Sequence, residues 1–176
     1  MSRLFGTLKQ VGIVVKDINK ALEHWIKVCG VGPWFYTDRL ELSEFSYRGK
    51  RHDGIHLSIA LANSGDIQIE LIEQRCDTPS MYKAFIQAGH EGMQHWSSWP
   101  SDYEERLKFA LEHGYLIGQQ GNSARGRFVY LLNEGHPGSV IEMADLTEAR
   151  ARVFAGIRAA ALDWDGRDPI RSVWPS

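Results

Sequence analysis

The chain has little of three features that mark specialised classes of protein: cysteine, net charge and long apolar segments. Its 176 residues include only Cys29 and Cys76, which we expect to be reduced thiols and not a disulfide framework. The formal net charge is −2 and no basic block stands out, which argues against a nucleic-acid surface. No stretch approaches transmembrane length, and residues 1–7 lack the apolar core of a signal peptide. We therefore expect a cytoplasmic protein that binds neither nucleic acid nor membrane.

What is present is the composition of an ordinary globular protein. Hydrophobic residues make up 43% of the chain and charged residues 24%, and 176 residues are enough to bury a core. This length fits one domain or two small fused modules.

The sequence contains the same opening pattern twice. Gln10 lies in a run rich in Val and Ile that predicts a buried strand, and Asp17, seven positions later, begins a helical pattern. His95 lies in a second strand-like run, and Asp102 follows it by the same seven positions. The two halves of the chain are therefore expected to fold alike.

The two halves also close alike, each with an Ile-Glu strand that contains Glu70 in the first half and Glu142 in the second. Each half thus offers a side-chain donor on its opening strand, Gln10 or His95, and a carboxylate on its closing strand. This repeated arrangement is what a metal site between two similar modules would require. A single Gln or Glu on a strand, in contrast, is usually a solvent-facing residue.

In each half, the remaining pattern predicts three strands after the helix. A short helix within residues 76–91 is expected to link the halves, and a last helix follows the second half. A polar, basic connection over residues 47–54 separates two of the strands of the first half. The predicted organisation is a single domain over 1–176. It contains a βαβββ module at 8–74, a second at 92–145, a C-terminal helix at 146–164 and a loosely ordered tail at 165–176. Within this tail, Trp174 is the one residue expected to dock.

Three motifs then resemble one known family. Gln10 to Val15 resembles its His-x-Gly-Ile-x-Val strand with Gln in place of His, and Gly92 to His95 is similar to the Gly-Leu-His-His start of the second module in its epimerases. Gly135 to Glu142 matches its last hairpin and terminal Ile-Glu. Together they resemble the vicinal oxygen chelate superfamily over roughly residues 8–145. Its members include glyoxalase I, methylmalonyl-CoA epimerase, extradiol dioxygenases and the fosfomycin and bleomycin resistance proteins.

The resemblance implies an α+β fold in which two tandem βαβββ modules form an open, U-shaped β-sheet cleft, followed by a C-terminal helix. It implies one divalent metal ion at the base of the cleft, held by Gln10, Glu70, His95 and Glu142. Two carboxylates, an amide oxygen and an imidazole suit Zn, Co, Ni, Mn or Mg. The alternative is a metal site that has decayed into a binding cleft.

The resemblance also implies roles for two residues in proton transfer. Glu142 would be both ligand and base, and His56 matches the position of a second acid/base in the epimerases. A histidine suits that role because its ordinary pKa is about 6.5; the alternative is that His56 only lines the cleft. Without His56 as a base, a one-base isomerase or lyase becomes the better hypothesis. Arg125 and Arg127 could meet a substrate carboxylate or a CoA phosphate, or form a solvated turn.

Three functions stay open at this point. The first is a metal-dependent isomerase or epimerase that works next to the carbonyl of a small molecule, such as an acyl-CoA. The second is a glyoxalase-I-like lyase acting on a glutathione hemithioacetal, and the third a non-catalytic binding or resistance protein. A ring-cleaving dioxygenase is disfavoured because Gln10 stands where its first His belongs. We also expect a homodimer that buries part of the apolar face of the last helix or of the module edges.

Overall fold

The computed structural model of the protein describes residues 2–175 and contains 11 strands and four helices. The strands are β1 (Gln10–Val14), β2 (Trp34–Thr37), β3 (Ser43–Tyr47), β4 (Lys50–Arg51), β5 (Leu57–Ser64), β6 (Ile67–Gln74), β7 (Gly92–Ser98), β8 (Tyr115–Ser123), β9 (Gly126–Asn133), β10 (Val140–Ala144) and β11 (Ile170–Arg171). The helices are α1 (Ile18–Lys27), α2 (Met81–Gln87), α3 (Tyr103–Glu112) and α4 (Glu148–Leu162). Among these described residues, no helix is long and apolar enough to cross a membrane.

The strands form one curved sheet in which two four-stranded units lie side by side. Their order is β11-β2-β5-β6-β1-β7-β10-β9-β8-β3-β4. The opening strands β1 and β7 pair antiparallel in the middle, and each runs parallel to the closing strand of its own unit, β6 or β10. The predicted α+β fold with two βαβββ units is confirmed. The four strands in the middle of the sheet are β6, β1, β7 and β10, which are the closing and opening strands of the two units.

The outer face of the sheet is covered by the helix of each unit. Helix α1 begins where the Asp17 carboxylate accepts hydrogen bonds from the backbone N–H groups of Asn19 and Lys20, which stabilises the first turn. Ile18 and Leu22 of α1 are buried against the first unit. Helix α3 buries Tyr103 and Ala110 in the same way against the second unit.

The inner face of the sheet carries the other two helices. Tyr82 of α2 and Ile157 of α4 both belong to the core cluster on this face, and Ile157 is fully buried. Thr147 begins α4, since its Oγ1 accepts a hydrogen bond from the backbone N–H of Arg150. The cleft, expected to be open, is therefore covered by α2 and α4. The apolar face of α4 is consequently used within the chain.

One hairpin crosses from the first unit to the far edge of the second. Strands β3 and β4 form this hairpin, and β4 lies within residues 47–54, which were expected to be a polar connection. The two strands are joined by a turn in which Arg48 and Gly49 both have positive φ, as in a type I′ hairpin. Strand β3 pairs with β8, which extends to Ser123 and is longer than the sequence pattern indicates. These edge strands are largely polar and exposed, so no alternation of apolar residues marked them.

The tail is ordered, contrary to our expectation. Strand β11 pairs with β2, and the ring of Trp174 packs against Phe35 with 6.1 Å between ring centroids. The ring of Trp164 lies where a Cβ on Gly32 would be. The tail thus wraps around one edge of the sheet and fixes the end of α4, through contacts between residues distant in sequence.

Candidate metal and proton-transfer site

The four residues expected to bind metal lie on four adjacent strands in the middle of the sheet. Gln10 lies on β1, Glu70 on β6, His95 on β7 and Glu142 on β10. Gly12 of β1 stands opposite Glu70 on one side and opposite His95 on the other. The pairing of the two opening strands therefore brings residues from both halves of the chain to one place.

Three of these side chains converge closely enough to share a cation. The Nε2 atom of His95 lies 3.8 Å from Oε2 of Glu70 and 4.0 Å from Oε2 of Glu142. One ligand atom from each of the three residues lies within 4.8 Å of the others. A divalent ion between them would require only a small contraction, because metal–ligand distances in such sites are about 2.0–2.2 Å.

Hydrogen bonds orient the imidazole of His95 for this role. Its Nδ1 lies 3.2 Å from Oε1 of Gln94, whose Nε2 donates to the backbone carbonyl of Met81 at 2.9 Å. Since that amide is fixed with its oxygen toward the ring, we assign the proton of the imidazole to Nδ1. The lone pair of Nε2 then faces the two carboxylates, as in metal sites whose histidine is held by an outer partner.

A pair of tyrosines also reaches the site. The hydroxyl of Tyr130 lies 3.2 Å from Nε2 of His95 and 2.9 Å from the hydroxyl of Tyr82. Burial raises the pKa of both tyrosines well above the ordinary value, so both hydroxyls stay protonated. The sequence did not indicate these roles for Tyr82 and Tyr130, because an aromatic residue on a strand or helix is usually part of the core.

The electrostatics of the site favour a bound cation. Burial, and then the charge of Glu142, raise the pKa of Glu70 to about 8, although Arg125 and Arg150 oppose that rise. Burial also raises the pKa of Glu142 and lowers the pKa of His95 to about 3, so the imidazole is neutral. A divalent ion between the two carboxylates would favour their ionised forms and so lower both pKa values.

The hydrogen bonding of Glu142 and Gln10 also leaves oxygen atoms free to bind a metal ion. Oε2 of Glu142 is buried and has no hydrogen-bond partner among residues 2–175, and such atoms are rare unless an ion or water satisfies them. Gln10 is buried too, and its Nε2 donates to Oε1 of Gln68 at 2.8 Å, which leaves its own amide oxygen for the cavity. The residues present therefore fit a divalent ion held by Glu70, His95 and Glu142, with Gln10 as a fourth donor.

A small cavity lies between this cluster and α4. Its free volume is about 60 Å³, well below the roughly 300–1,000 Å³ of typical ligand pockets. The wall formed by β5 is apolar, since Leu57, Ile59 and Leu61 point inward. The remaining wall includes Phe154 and Arg150 of α4. In this conformation the cavity accommodates a small acyl or carbonyl group.

His56 does not line this cavity. It directly precedes β5, and because alternate residues of a strand face opposite sides, the inward position of Leu57 turns His56 outward. Its Nε2 lies 3.1 Å from the backbone carbonyl oxygen of Asp38. The role of second acid/base stays a prediction that the geometry does not support.

Comparisons with known proteins agree with this fold. The family model described as the glyoxalase/bleomycin resistance protein/dioxygenase superfamily matches residues 9–130. A methylmalonyl-CoA epimerase from Mycobacterium tuberculosis is similar in structure, with a TM-score of 0.61 and 18% identity over 86% of this chain and 95% of the epimerase. A hypothetical protein from Bacillus halodurans gives a TM-score of 0.59 and 23% identity over 81% of this chain and 95% of its own. No curated protein matches the sequence.

Proposed function

The chain belongs to the glyoxalase/bleomycin resistance protein/dioxygenase superfamily, and on that premise we propose that it is a metal-dependent enzyme that moves a proton on the carbon next to a substrate carbonyl. One observation carries the proposal. The buried carboxylates of Glu70 and Glu142 converge with the oriented imidazole of His95 beside a cavity, and one oxygen of Glu142 has no partner within residues 2–175.

A divalent ion in this site would polarise the carbonyl of the substrate and stabilise the negative charge that develops on its oxygen. Glu142 would accept the proton from the adjacent carbon and return it. Burial raises the pKa of Glu142 when no ion is bound, and a divalent ion would keep this carboxylate ionised and so able to accept a proton. Glu70 would hold the ion, and the inward side chains of α4 would exclude water from the reacting carbon.

The arrangement favours one base over two. An epimerase that inverts a centre by a two-base route needs a second acid/base on the face of the substrate opposite the first. Here the inward residues of β5 are Leu57, Ile59 and Leu61, and His56 faces outward. A single-base isomerase, or a lyase of the glyoxalase I type, is therefore the better form of the proposal, with a small carbonyl compound as substrate.

Metal binding is the first test. We expect purified protein to bind about one divalent ion per chain, as measured by elemental analysis and calorimetric titration. His95→Ala should lose most of the affinity because it removes the nitrogen donor. His56→Ala is a matched control whose ring lies outside the cavity. Unchanged metal content in His95→Ala would refute the ligand assignment.

Proton exchange is the second test. NMR in deuterated solvent should show that the metal-loaded protein exchanges the α-proton of a small carbonyl compound. Glu142→Gln should still bind metal but lose exchange by on the order of a hundred- to ten-thousand-fold, because the amide accepts no proton. In His56→Ala we expect exchange to continue. Loss of inversion alone in that variant would restore the two-base mechanism, whereas tight binding without exchange in the wild type would favour the binding-protein alternative.

A further inference from the structure

Two arginines reach the cavity beside the candidate metal site, and their surroundings differ. Arg150 is buried at the start of α4, and its guanidinium donates to the backbone carbonyls of Arg127, at 3.1 Å, of Gly126, at 3.2 Å, and of Asp145. These bonds tie α4 to the end of β10 and the start of β9. The guanidinium of Arg150 therefore has a structural role, and its charge makes the electrostatic potential of the cavity more positive.

Arg125 also lines the cavity, but its guanidinium donates no hydrogen bond and forms no ion pair with any residue from 2 to 175. Its backbone is fixed on both sides. The Arg125 N–H donates to Oγ of Ser123 at 3.2 Å, and the Arg125 carbonyl accepts from Oγ1 of Thr147 at 2.6 Å. The guanidinium stacks on Trp174, 4.0 Å from the centroid of its ring. Arg125 is thus held in place while its donors stay free.

Trp174 belongs to the tail, and the tail docks by the contact of Trp174 with Phe35. The platform under Arg125 is therefore built by a segment outside the 9–130 range of the family match. A stacked guanidinium loses less conformational freedom on binding than a free one, so it is well suited to bind a planar anion through two parallel hydrogen bonds.

The charges of the side chains that line the cavity favour an anionic ligand once a divalent ion is bound. Glu70 and Glu142 together carry two negative charges when ionised, and a divalent ion would neutralise them. Arg125 and Arg150 would then leave the cavity with an excess positive charge in a largely buried space, where an unpaired charge is costly. A substrate with its own negative charge would restore the balance.

The shape of the cavity limits that substrate. The walls of the cavity that holds both the metal cluster and Arg125 include Leu57, Phe128 and Phe154, and its free volume is about 60 Å³. A ligand that spans the two ends therefore has a carbonyl at one end, a short apolar link and an anion at the other. Of the common anions, a carboxylate is planar and small enough to fit the guanidinium fork.

We propose that Arg125 binds a carboxylate of the substrate, so that the substrate is a small carbonyl-containing carboxylic acid. This inference rests on the proposed function for the carbonyl end. Arg127, two residues away, has a different role: it forms ion pairs with Glu104 and Asp145 on the exposed side and does not line the cavity. The two arginines that the sequence placed together therefore separate in the structure.

The test uses the full chain, first loaded with metal, and two probes that share a ketone and differ only in the distal group: 4-oxopentanoate, whose distal group is a carboxylate, and 4-oxopentanamide, whose distal group is an amide. Calorimetry should show that the wild type binds 4-oxopentanoate on the order of 10- to 100-fold more tightly than the amide, as expected for charge-assisted hydrogen bonds. Arg125→Gln should abolish that preference without loss of metal. Arg127→Gln is the matched control and should keep it.

The outcomes separate this inference from the proposed function. An Arg125→Gln variant that binds metal and still prefers 4-oxopentanoate overturns the role of Arg125 and leaves the metal site standing. If the wild type binds no metal, the proposed function fails, and the same titrations on metal-free protein decide the inference. A preference for 4-oxopentanoate that depends on Arg125 there supports the carboxylate site, and the lack of any preference overturns it.

Discussion

The imidazole of His95 occupies the space that a side chain on Gly12 would need. A Cβ added to Gly12 would lie 1.8 Å from Cε1 of His95 and 2.1 Å from Nε2. The two residues are partners across the β1–β7 seam that joins the two halves of the chain. The absence of a side chain at residue 12 thus makes room for the imidazole of His95 from the other half of the chain, and this need for glycine does not depend on backbone φ.

We predict that Gly12→Ala displaces His95 and weakens metal binding by at least about 10-fold, comparable to the loss of an outer partner of a metal ligand. Gly138→Ala is the matched control, since a Cβ there meets nothing within 4 Å. Calorimetric titration of metal into both variants measures the difference. Wild-type affinity in a folded Gly12→Ala protein would show that His95 is not a ligand.

The hydrogen bond from His95 to Gln94 gives a second prediction. Gln94→Leu removes the acceptor for the Nδ1 proton, so the ring can rotate or change tautomer, and metal affinity should fall about 10- to 100-fold. Gln94→Glu keeps an acceptor at this position and should retain more of the affinity than the leucine variant. Equal affinity in the leucine variant and the wild type would contradict the proposed orientation of the imidazole.

The raised pKa of Glu70 predicts how the metal-free protein responds to pH. The folded protein keeps this proton up to about pH 8, whereas the unfolded chain loses it near the ordinary value of 4.5. The folded state binds more protons in that range, so the free energy of unfolding falls as pH rises through it. His95 contributes the opposite slope, but only below its ordinary pKa of 6.5. From pH 6.5 to 8 the free energy of unfolding should therefore fall by roughly 1–2 kcal/mol.

Chemical denaturation at several pH values, with a chelator present, measures this slope. Glu70→Gln cannot ionise and should flatten it. Added divalent metal should stabilise the wild type more at pH 8 than at pH 6.5, because protons compete for the same carboxylates. A slope as steep in Glu70→Gln as in the wild type would assign the effect to other groups.

The sequence predicted which four residues lie together in the candidate site better than it predicted their surroundings. Gln10, Glu70, His95 and Glu142 were expected there because they occupy matching places in a repeated pattern, and matching places in two similar modules become neighbours when the opening strands pair. Spacing alone could not reveal that Tyr130 reaches His95, because that contact depends on how β9 packs beside β10.

The places where the structure departs from what the sequence pattern indicates have a common physical origin in tertiary context. His56 was matched to the acid/base position of the epimerases by sequence position alone. Successive residues of a strand face opposite sides of the sheet, and because Leu57 faces the cavity, its neighbour His56 faces away from it. The hairpin after residue 42 and the tail that contains Trp174 lack apolar periodicity, and both are ordered by pairing with strands far away in the chain.

The homodimer stays a prediction, but the expected interface is now the module edges and no longer the apolar face of α4. Because α4 buries Ile157 against its own sheet, its apolar face is no longer available to a partner. The module edges remain, although β4 at one edge is short and consists of Lys50 and Arg51, which discourages pairing of strands between copies. Light scattering at micromolar concentration should give twice the chain mass of 20.0 kDa, and a single chain mass would exclude the dimer.

The docking of the tail on α4 gives the last prediction. A Cβ on Gly156, in the middle of α4, would lie 2.3 Å from Cβ of Pro175. Alanine is favoured over glycine in a helix by about 1 kcal/mol, so Gly156→Ala should leave α4 intact while it displaces the tail. Trp174 would then lose its place under Arg125, and trypsin should cleave after Arg167 and Arg171 faster than in the wild type.

A double variant separates the steric cause from any other effect of the substitution. Pro175→Gly removes the Cβ and the ring that the new methyl group would meet, so Gly156→Ala with Pro175→Gly should recover much of the resistance to trypsin. If the carboxylate site is built on the stacked guanidinium, the single variant should also lose part of its preference for 4-oxopentanoate over the amide, and the double variant should regain it. Rapid cleavage in both variants would mean that the tail is held by contacts other than the one between α4 and Pro175.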